Sequence, residues 1–262
     1  MATINFRGKD LFYKDEGSGI PLIFIHGFCE DNRMWDEFIK LFPLNVRIIR
    51  PDLPGFGQSG LPDGEITIDI YAEAVHEILK QEKIANCILV GHSMGGYTAL
   101  SFIERYADML LGIVMFHSTA FADDDNKKQD RSRAIDFLNT HPKEIYVDEV
   151  YSKLFAPDFY TKNMQLVFKL QKYAHNLSTA GIKGALNAMR LRPDRTSALK
   201  QLPVLFITGK KDIAVPYEKN RLQYALPDVS QVLILDEVAH MGMFEAPQEC
   251  ANAIIQFVKI LN

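Results

Sequence analysis

The sequence is poor in the features that would take it out of the ordinary globular class. Its 262 residues hold three cysteines, Cys29, Cys87 and Cys250, with no C-x-x-C pair among them. That odd, scattered set excludes a disulfide scaffold and offers no zinc-ligand spacing, so no metal is expected. No apolar run approaches the roughly 18 to 20 residues of a bilayer-spanning helix. The first ten residues lack the apolar stretch of a secretory leader, and the expected compartment is the cytoplasm. Positive charge is not in excess. Twenty-nine Lys and Arg against 33 Asp and Glu give a net −4, so no basic field draws nucleic acid or anionic lipid. What is present, 47% hydrophobic and 24% charged residues, describes a soluble globular chain. At this length one large domain, or a domain with an insertion, is expected.

Short apolar runs alternate with helical stretches along most of the chain, the pattern of an α/β fold around a largely parallel sheet. Two early segments, 4–6 and 11–14, flank Gly8-Lys9-Asp10 and read as a hairpin. Six further runs, 22–25, 46–49, 87–90, 113–116, 204–208 and 232–235, are apolar apart from Arg47 and Thr208, as suits strands buried on both faces. Together they predict an eight-stranded, mostly parallel sheet flanked by helices. After residue 118 the alternation stops. Helices are expected at 126–140, 143–155, 158–176 and 178–191, punctuated by Pro142, Pro157, Gly181 and Pro193. The division implied is a core of residues 1–118 and 196–262, with a helical cap, 119–195, inserted over the strand ends.

Polar chemistry collects where these runs end, and in open α/β sheets the loops at the carboxyl ends of the strands converge on a crevice. The sharpest signal is Gly91-His92-Ser93-Met94-Gly95-Gly96, a G-x-S-x-G between the run 87–90 and a helical stretch at 97–106. A serine at a sharp strand-to-helix turn needs small neighbours, because the backbone is strained there. The turn lifts its Oγ out of the sheet beside a helix N-terminus. A hydroxyl alone is a weak nucleophile; it needs a base, and an acid to orient that base. Asp212 follows the run 204–208 and His240 follows the last run, so the chain order is Ser93, Asp212, His240, that of the triad on a strand-turn-helix scaffold. Asp123, Asp124 and Asp125, or Asp236 and Glu237, are rival acids; the Gly209-x-x-Asp212 pattern favours Asp212.

Further motifs are His26-Gly27-Phe28, Asp52-Leu53-Pro54-Gly55-Phe56-Gly57-Gln58-Ser59, Gly209-Lys210-Lys211-Asp212, and His240 before Glu245-Ala246-Pro247. With them the sequence resembles the α/β-hydrolase superfamily, in its branch with a helical cap. The resemblance implies Ser93 as nucleophile, His240 as base and Asp212 as the acid behind it. It implies an oxyanion hole made by the backbone N–H groups of Phe28 and Met94, and no metal or organic cofactor. Relatives that open epoxides or displace halide carry Asp where this chain has Ser93, so those reactions are not expected.

Candidate pocket residues are Phe121, Phe137, Phe155 and Met189 of the insertion, and Met241. Such a lining suits a small apolar carboxylic ester, and the expected function is a serine esterase acting on a small molecule through an acyl-enzyme. Two alternatives keep the fold. One is hydrolysis, or a related lyase step, at a carbon–carbon bond of a diketo acid, with Arg190, Arg192 and Arg195 as candidate carboxylate partners. The other is a slow-turnover small-molecule sensor. Beside the site, Cys29 is expected to be a buried, inert thiol. Glu30 is open between a substrate contact and a solvent-facing role, and His26, His92 and His117 are expected to pack or hydrogen-bond structurally.

Overall fold

The computed structural model describes residues 1–43 and 45–261. Eight strands form one sheet: β1 (Ala2–Phe6), β2 (Lys9–Gly17), β3 (Ile20–Ile25), β4 (Val46–Pro51), β5 (Cys87–His92), β6 (Leu110–Phe116), β7 (Val204–Gly209) and β8 (Ser230–Leu235). Their order across the sheet is β1-β2-β4-β3-β5-β6-β7-β8. The two pairings of β2 are antiparallel and all others parallel. The hairpin turns at Arg7-Gly8 rather than at the expected Gly8-Lys9-Asp10. Both residues have positive φ, 51° and 78°, so this tight mirror-image turn matches the strand twist and lets β2 begin at Lys9.

Strands β5 and β7 are buried along their whole length, as continuous apolar runs require. β8 departs from that expectation. Its residues alternate, and Val232 and Ile234 remain 39% and 41% exposed. It is the last strand of the sheet, with one face open.

Helices on the core are α1 (Ile68–Gln81) and α2 (Met94–Tyr106). Thr67 opens α1 by accepting a hydrogen bond from Ile70 N, and Tyr71, Val75, Ile78 and Leu79 form its buried face. Between β6 and β7 lie five helices: α3 (Asp125–Thr140), α4 (Lys143–Ser152), α5 (Pro157–Lys162), α6 (Met164–His175) and α7 (Thr179–Leu191). The single helix expected at 158–176 is thus two. Asn163, at φ −125° and ψ 31°, leaves helical geometry, and both its backbone N and its Nδ2 donate to Phe159 O, at 2.9 and 3.0 Å. Helix α4 ends at Ser152, short of the expected 155, because the chain turns inward and Leu154 O accepts the amide of His240 at 2.9 Å. After β7 come α8 (Tyr217–Asn220), α9 (Gly242–Glu245) and α10 (Pro247–Ile260), the last two following β8.

This topology places the site. The chain passes from β3 outward to β4, then crosses back to β5 on the other side of β3. Such a reversal opens a crevice between neighbouring strands at their carboxyl ends. Gly27-Phe28 leaves β3 on one side of that crevice and Ser93 leaves β5 on the other. No helix among the described residues is long and apolar enough to cross a membrane.

Candidate active site

Ser93 sits at φ 50° and ψ −112°, a conformation that side-chain-bearing residues seldom adopt. Its surroundings hold it there. Ser93 N donates to Phe116 O at 3.0 Å, and Ser118 Oγ donates to Ser93 O at 2.7 Å. Glycine is required on either side: a Cβ on Gly91 would overlap the Gly95 carbonyl, and one on Gly95 would overlap Ile25 O at the end of β3. The backbones of β3, β5 and α2 therefore meet almost without intervening side chains.

Asp212 follows β7 and is 3% exposed. Its Oδ1 accepts the amides of Ala214 and Val215 at 2.9 and 2.8 Å, which fixes the carboxyl plane. Its Oδ2 accepts His240 Nδ1 at 2.7 Å. A second histidine, His117, reaches the same oxygen through Nδ1 at 3.3 Å. Burial alone would raise the Asp212 pKa, but His240 and the two imidazole donors outweigh it and hold the carboxyl far below the usual range. His117 is buried and its pKa is pushed down to about 4 by that burial, against the pull of Asp212. It is neutral at pH 7, donates through Nδ1, and leaves Nε2 buried with no partner. The rival acids lie elsewhere. Asp236 and Glu237 pair with Lys210 and Lys211 at 2.7 and 2.5 Å, and Asp124 pairs with Lys219 at 2.9 Å. Asp123 pairs with Arg131 and Arg192.

Ser93 and His240 share one cavity of about 160 Å³ whose wall includes Phe28. Among the described residues, the amides of Phe28 and Met94 donate to no protein acceptor. Glu30 lines the same cavity beside Phe28, yet it is neither exposed to bulk solvent nor free. It accepts Gly27 N at 2.7 Å and His92 Nδ1 at 3.0 Å, while His92 Nε2 points at His240 O at 2.9 Å. Both ring nitrogens of His92 face acceptors, so both must carry hydrogen. Burial disfavours either charge, yet each offsets the cost for the other: Glu30 is held below its ordinary pKa and His92 above. This pair ties the loop after β3, the Ser93 turn and the His240 loop together. His26 is structural, accepting Leu53 N at Nε2 (3.0 Å), and Cys29 is buried with its pKa pushed well up by burial.

The insertion supplies the opposite wall with Lys127 and Arg131 from α3, Tyr146 and Val150 from α4, Leu154, and Met189 from α7. It is fastened to the core by Tyr151 Oη, donating to Cys29 O at 3.0 Å, and by Glu245, whose carboxylate accepts the amides of Ala156, Ala239 and Met241 at 2.9, 3.2 and 3.0 Å. Of the candidate pocket residues, Met189 lines this cavity and Phe137 lines an adjoining outer groove. Phe121 borders a further depression that shares Lys127, Ala214 and Val215 with the cavity but does not reach Ser93. Phe155 and Met241 are packed away: Phe155 stacks on Phe159 at 5.6 Å, and Met241 is fully buried. Arg190, Arg192 and Arg195 do not line the cavity. Arg190 binds Ser132 and Asn187; Arg192 binds the carbonyls of Met189 and Phe121 and stacks on Tyr97; Arg195 binds Glu104 and Asp69. The cavity's cations are Lys127 and Arg131, whose helical positions carry no motif to announce them.

A family model described as the alpha/beta hydrolase family matches residues 22–253. The chain belongs to that family. Among curated relatives, this hydrolase is 26% identical to the 2-hydroxy-6-oxo-6-(2'-aminophenyl)hexa-2,4-dienoic acid hydrolase of Metapseudomonas resinovorans, over 97% of its own length and 89% of the relative's. It is also 26% identical to Lipase 1 of Psychrobacter immobilis, over 97% and 82%. Among solved structures, the malate-bound thermophilic esterase from Thermogutta terrifontis superposes with a TM-score of 0.91 at 26% identity, covering 99% of this hydrolase and 97% of that chain.

Proposed function

We propose that the protein is a serine esterase that cleaves a small carboxylic ester through Ser93, His240 and Asp212. One observation carries the reading: the 2.7 Å hydrogen bond from His240 Nδ1 to a buried, ionised Asp212 leaves Nε2 without a protein partner in the cavity that Ser93 lines. In this reading Ser93 Oγ attacks the carbonyl carbon and passes its proton to His240 Nε2. Asp212 stabilises the imidazolium, which gives that proton to the departing alkoxide. Water then attacks the acyl-enzyme by the same relay and releases the acid. The oxyanion meets the free amides of Phe28 and Met94, and the loss of one such donor costs about 3 kcal/mol of barrier. Residues 119–195 act as the cap, closing the site with α3, α4 and α7. The apolar lining expected for the substrate holds for part of that wall, with Val150, Leu154 and Met189, but Lys127 and Arg131 interrupt it.

A second reading, the same triad cleaving a carbon–carbon bond of a diketo acid, is favoured by the likeness to the Metapseudomonas resinovorans hydrolase. The test is turnover of p-nitrophenyl esters of graded chain length by the wild type and Ser93→Ala. The wild type should show a short-chain optimum, and Ser93→Ala should lose about 10⁴-fold or more in kcat. Full activity in Ser93→Ala would sink the mechanism. Turnover of a ring-cleavage diketo acid with none of any ester would move it to the second reading.

A further inference from the structure

The cavity beside Ser93 adjoins an outer groove of about 530 Å³ lined by residues of α3, α4 and α7. Lys127, Arg131, Tyr146 and Val150 belong to both spaces and form the neck between them. Charge around the neck does not cancel. In the groove, Arg133 is matched by Asp130, and Lys153 by Glu149 at 2.6 Å. On the inner wall Glu30 is matched by His92 at 3.0 Å. Arg131 has one carboxylate partner, Asp123, and Arg192 Nη1 lies 2.7 Å from the other oxygen of that same carboxylate. Burial would raise the Asp123 pKa, and these two guanidinium groups hold it low, so a single negative charge stands between two positive ones. Lys127 Nζ touches only a neutral acceptor, Ala214 O, at 2.7 Å.

The donors that remain free are set where a ligand would meet them. Arg131 spends Nε on Asp123 and leaves both Nη groups without a protein partner, though its side chain is only 12% exposed. Lys127 keeps two of its three N–H bonds unspent. The Tyr146 hydroxyl has no hydrogen bond, and its ring packs edge-on against Phe28 at 6.3 Å. Half-buried cations with unspent donors have lost part of their hydration, which an anion can replace, and a guanidinium edge beside an ammonium suits a planar carboxylate.

We infer that Lys127 and Arg131 form an anion subsite at the neck of the cavity, and that the substrate is an ester bearing a free carboxylate a short chain away from the scissile carbonyl. This rests on the esterase reading for the bond, while the subsite itself depends only on the wall of the cavity. The carboxylate would anchor at the neck and leave the ester carbonyl to Ser93 and the Phe28 and Met94 amides. The apolar residues Val150, Leu154 and Met189 would flank the intervening methylenes.

The test compares the monomethyl esters of succinate, glutarate and adipate with methyl butanoate, pentanoate and hexanoate. The wild type should favour the anionic series in kcat/KM by about tenfold or more at its best chain length, the range of one charge-assisted hydrogen bond. Lys127→Met and Arg131→Gln should each lower that ratio about tenfold, and Arg131→Lys should restore part of it. Arg133→Gln removes a nearby charge that is already paired and should leave the ratio within about twofold. A wild type that prefers the neutral series, or a ratio unchanged in Lys127→Met and Arg131→Gln, overturns the subsite and leaves the esterase reading standing. Should no ester of either series turn over, the esterase reading falls and calorimetry with free glutarate decides the subsite. Binding to the wild type that weakens about tenfold in Lys127→Met supports it, and no measurable binding overturns it.

Discussion

On one wall of the cavity, Ser93, His240 and the Phe28 and Met94 amides belong to turns that follow parallel strands, with Ser93 N bonded to Phe116 O and His240 N to Leu154 O. On the other, Lys127, Arg131 and Tyr146 project from helices α3 and α4, and their positions are set by ion pairs and ring packing. The first wall is set by the ends of the sheet and by the strained turn at Ser93. The second can change its chemistry by exchanging one side chain. On the function and subsite proposed above, reaction type belongs to the first wall and substrate choice to the second.

The comparison is sharpened by variants graded from one wall to the other. Asp212→Asn is expected to have the largest effect. It keeps the shape but favours the wrong His240 tautomer, lowering kcat by about 10⁴-fold with little change in KM for every ester tested. An activity loss confined to some substrates would erase the division between the walls.

Glu30→Gln comes next, read as stability. It leaves His92 buried beside a neutral amide and should cost about 3 kcal/mol in denaturant unfolding, most of it near pH 5 to 6. The sign follows from the two shifts. Glu30 is held below its ordinary pKa, so its contribution is present above about 4.3 and is lost as pH falls through the folded value. His92 is held above its ordinary pKa, so its contribution is full below about 6.5 and is lost as pH rises through the folded value. The gap between wild type and Glu30→Gln should narrow on both sides of that window. A gap independent of pH would mean that the pair is not ionised. The smallest effects belong to Lys127 and Arg131, about tenfold and confined to the preference for a charged substrate over a neutral one.

The same contrast explains what could be read from the chain in advance. Six strands were visible as apolar runs and two as a hairpin around a turn, and the order of the proposed triad could be read because each member follows a strand at a glycine-bearing or polar turn. Edge position could not be read. Val232 and Ile234 look like core residues in sequence, and only the strand order puts them at the open side. Nor could the break at Asn163, where the backbone leaves helical geometry without any Gly or Pro to mark it. His117, Glu30 and Glu245 were hidden for a related reason: their partners lie on other loops, with His117 and Asp212 95 positions apart and Glu30 and His92 62. The inserted wall was the least legible. Which face of α3 turns inward depends on its packing against α7 and on Asp123, so Lys127 and Arg131 resembled any other charges on a polar helix, while Arg190, Arg192 and Arg195 drew the carboxylate expectation instead.

The central claim is that Ser93 is an activated nucleophile. Its most direct test is treatment of the native protein with a fluorophosphonate, followed by peptide mass spectrometry. The mechanism predicts one stoichiometric adduct on Ser93, formed much more slowly in Asp212→Asn and absent after prior unfolding. No adduct on the native protein, or one on another serine with Ser93 unmodified, would contradict it.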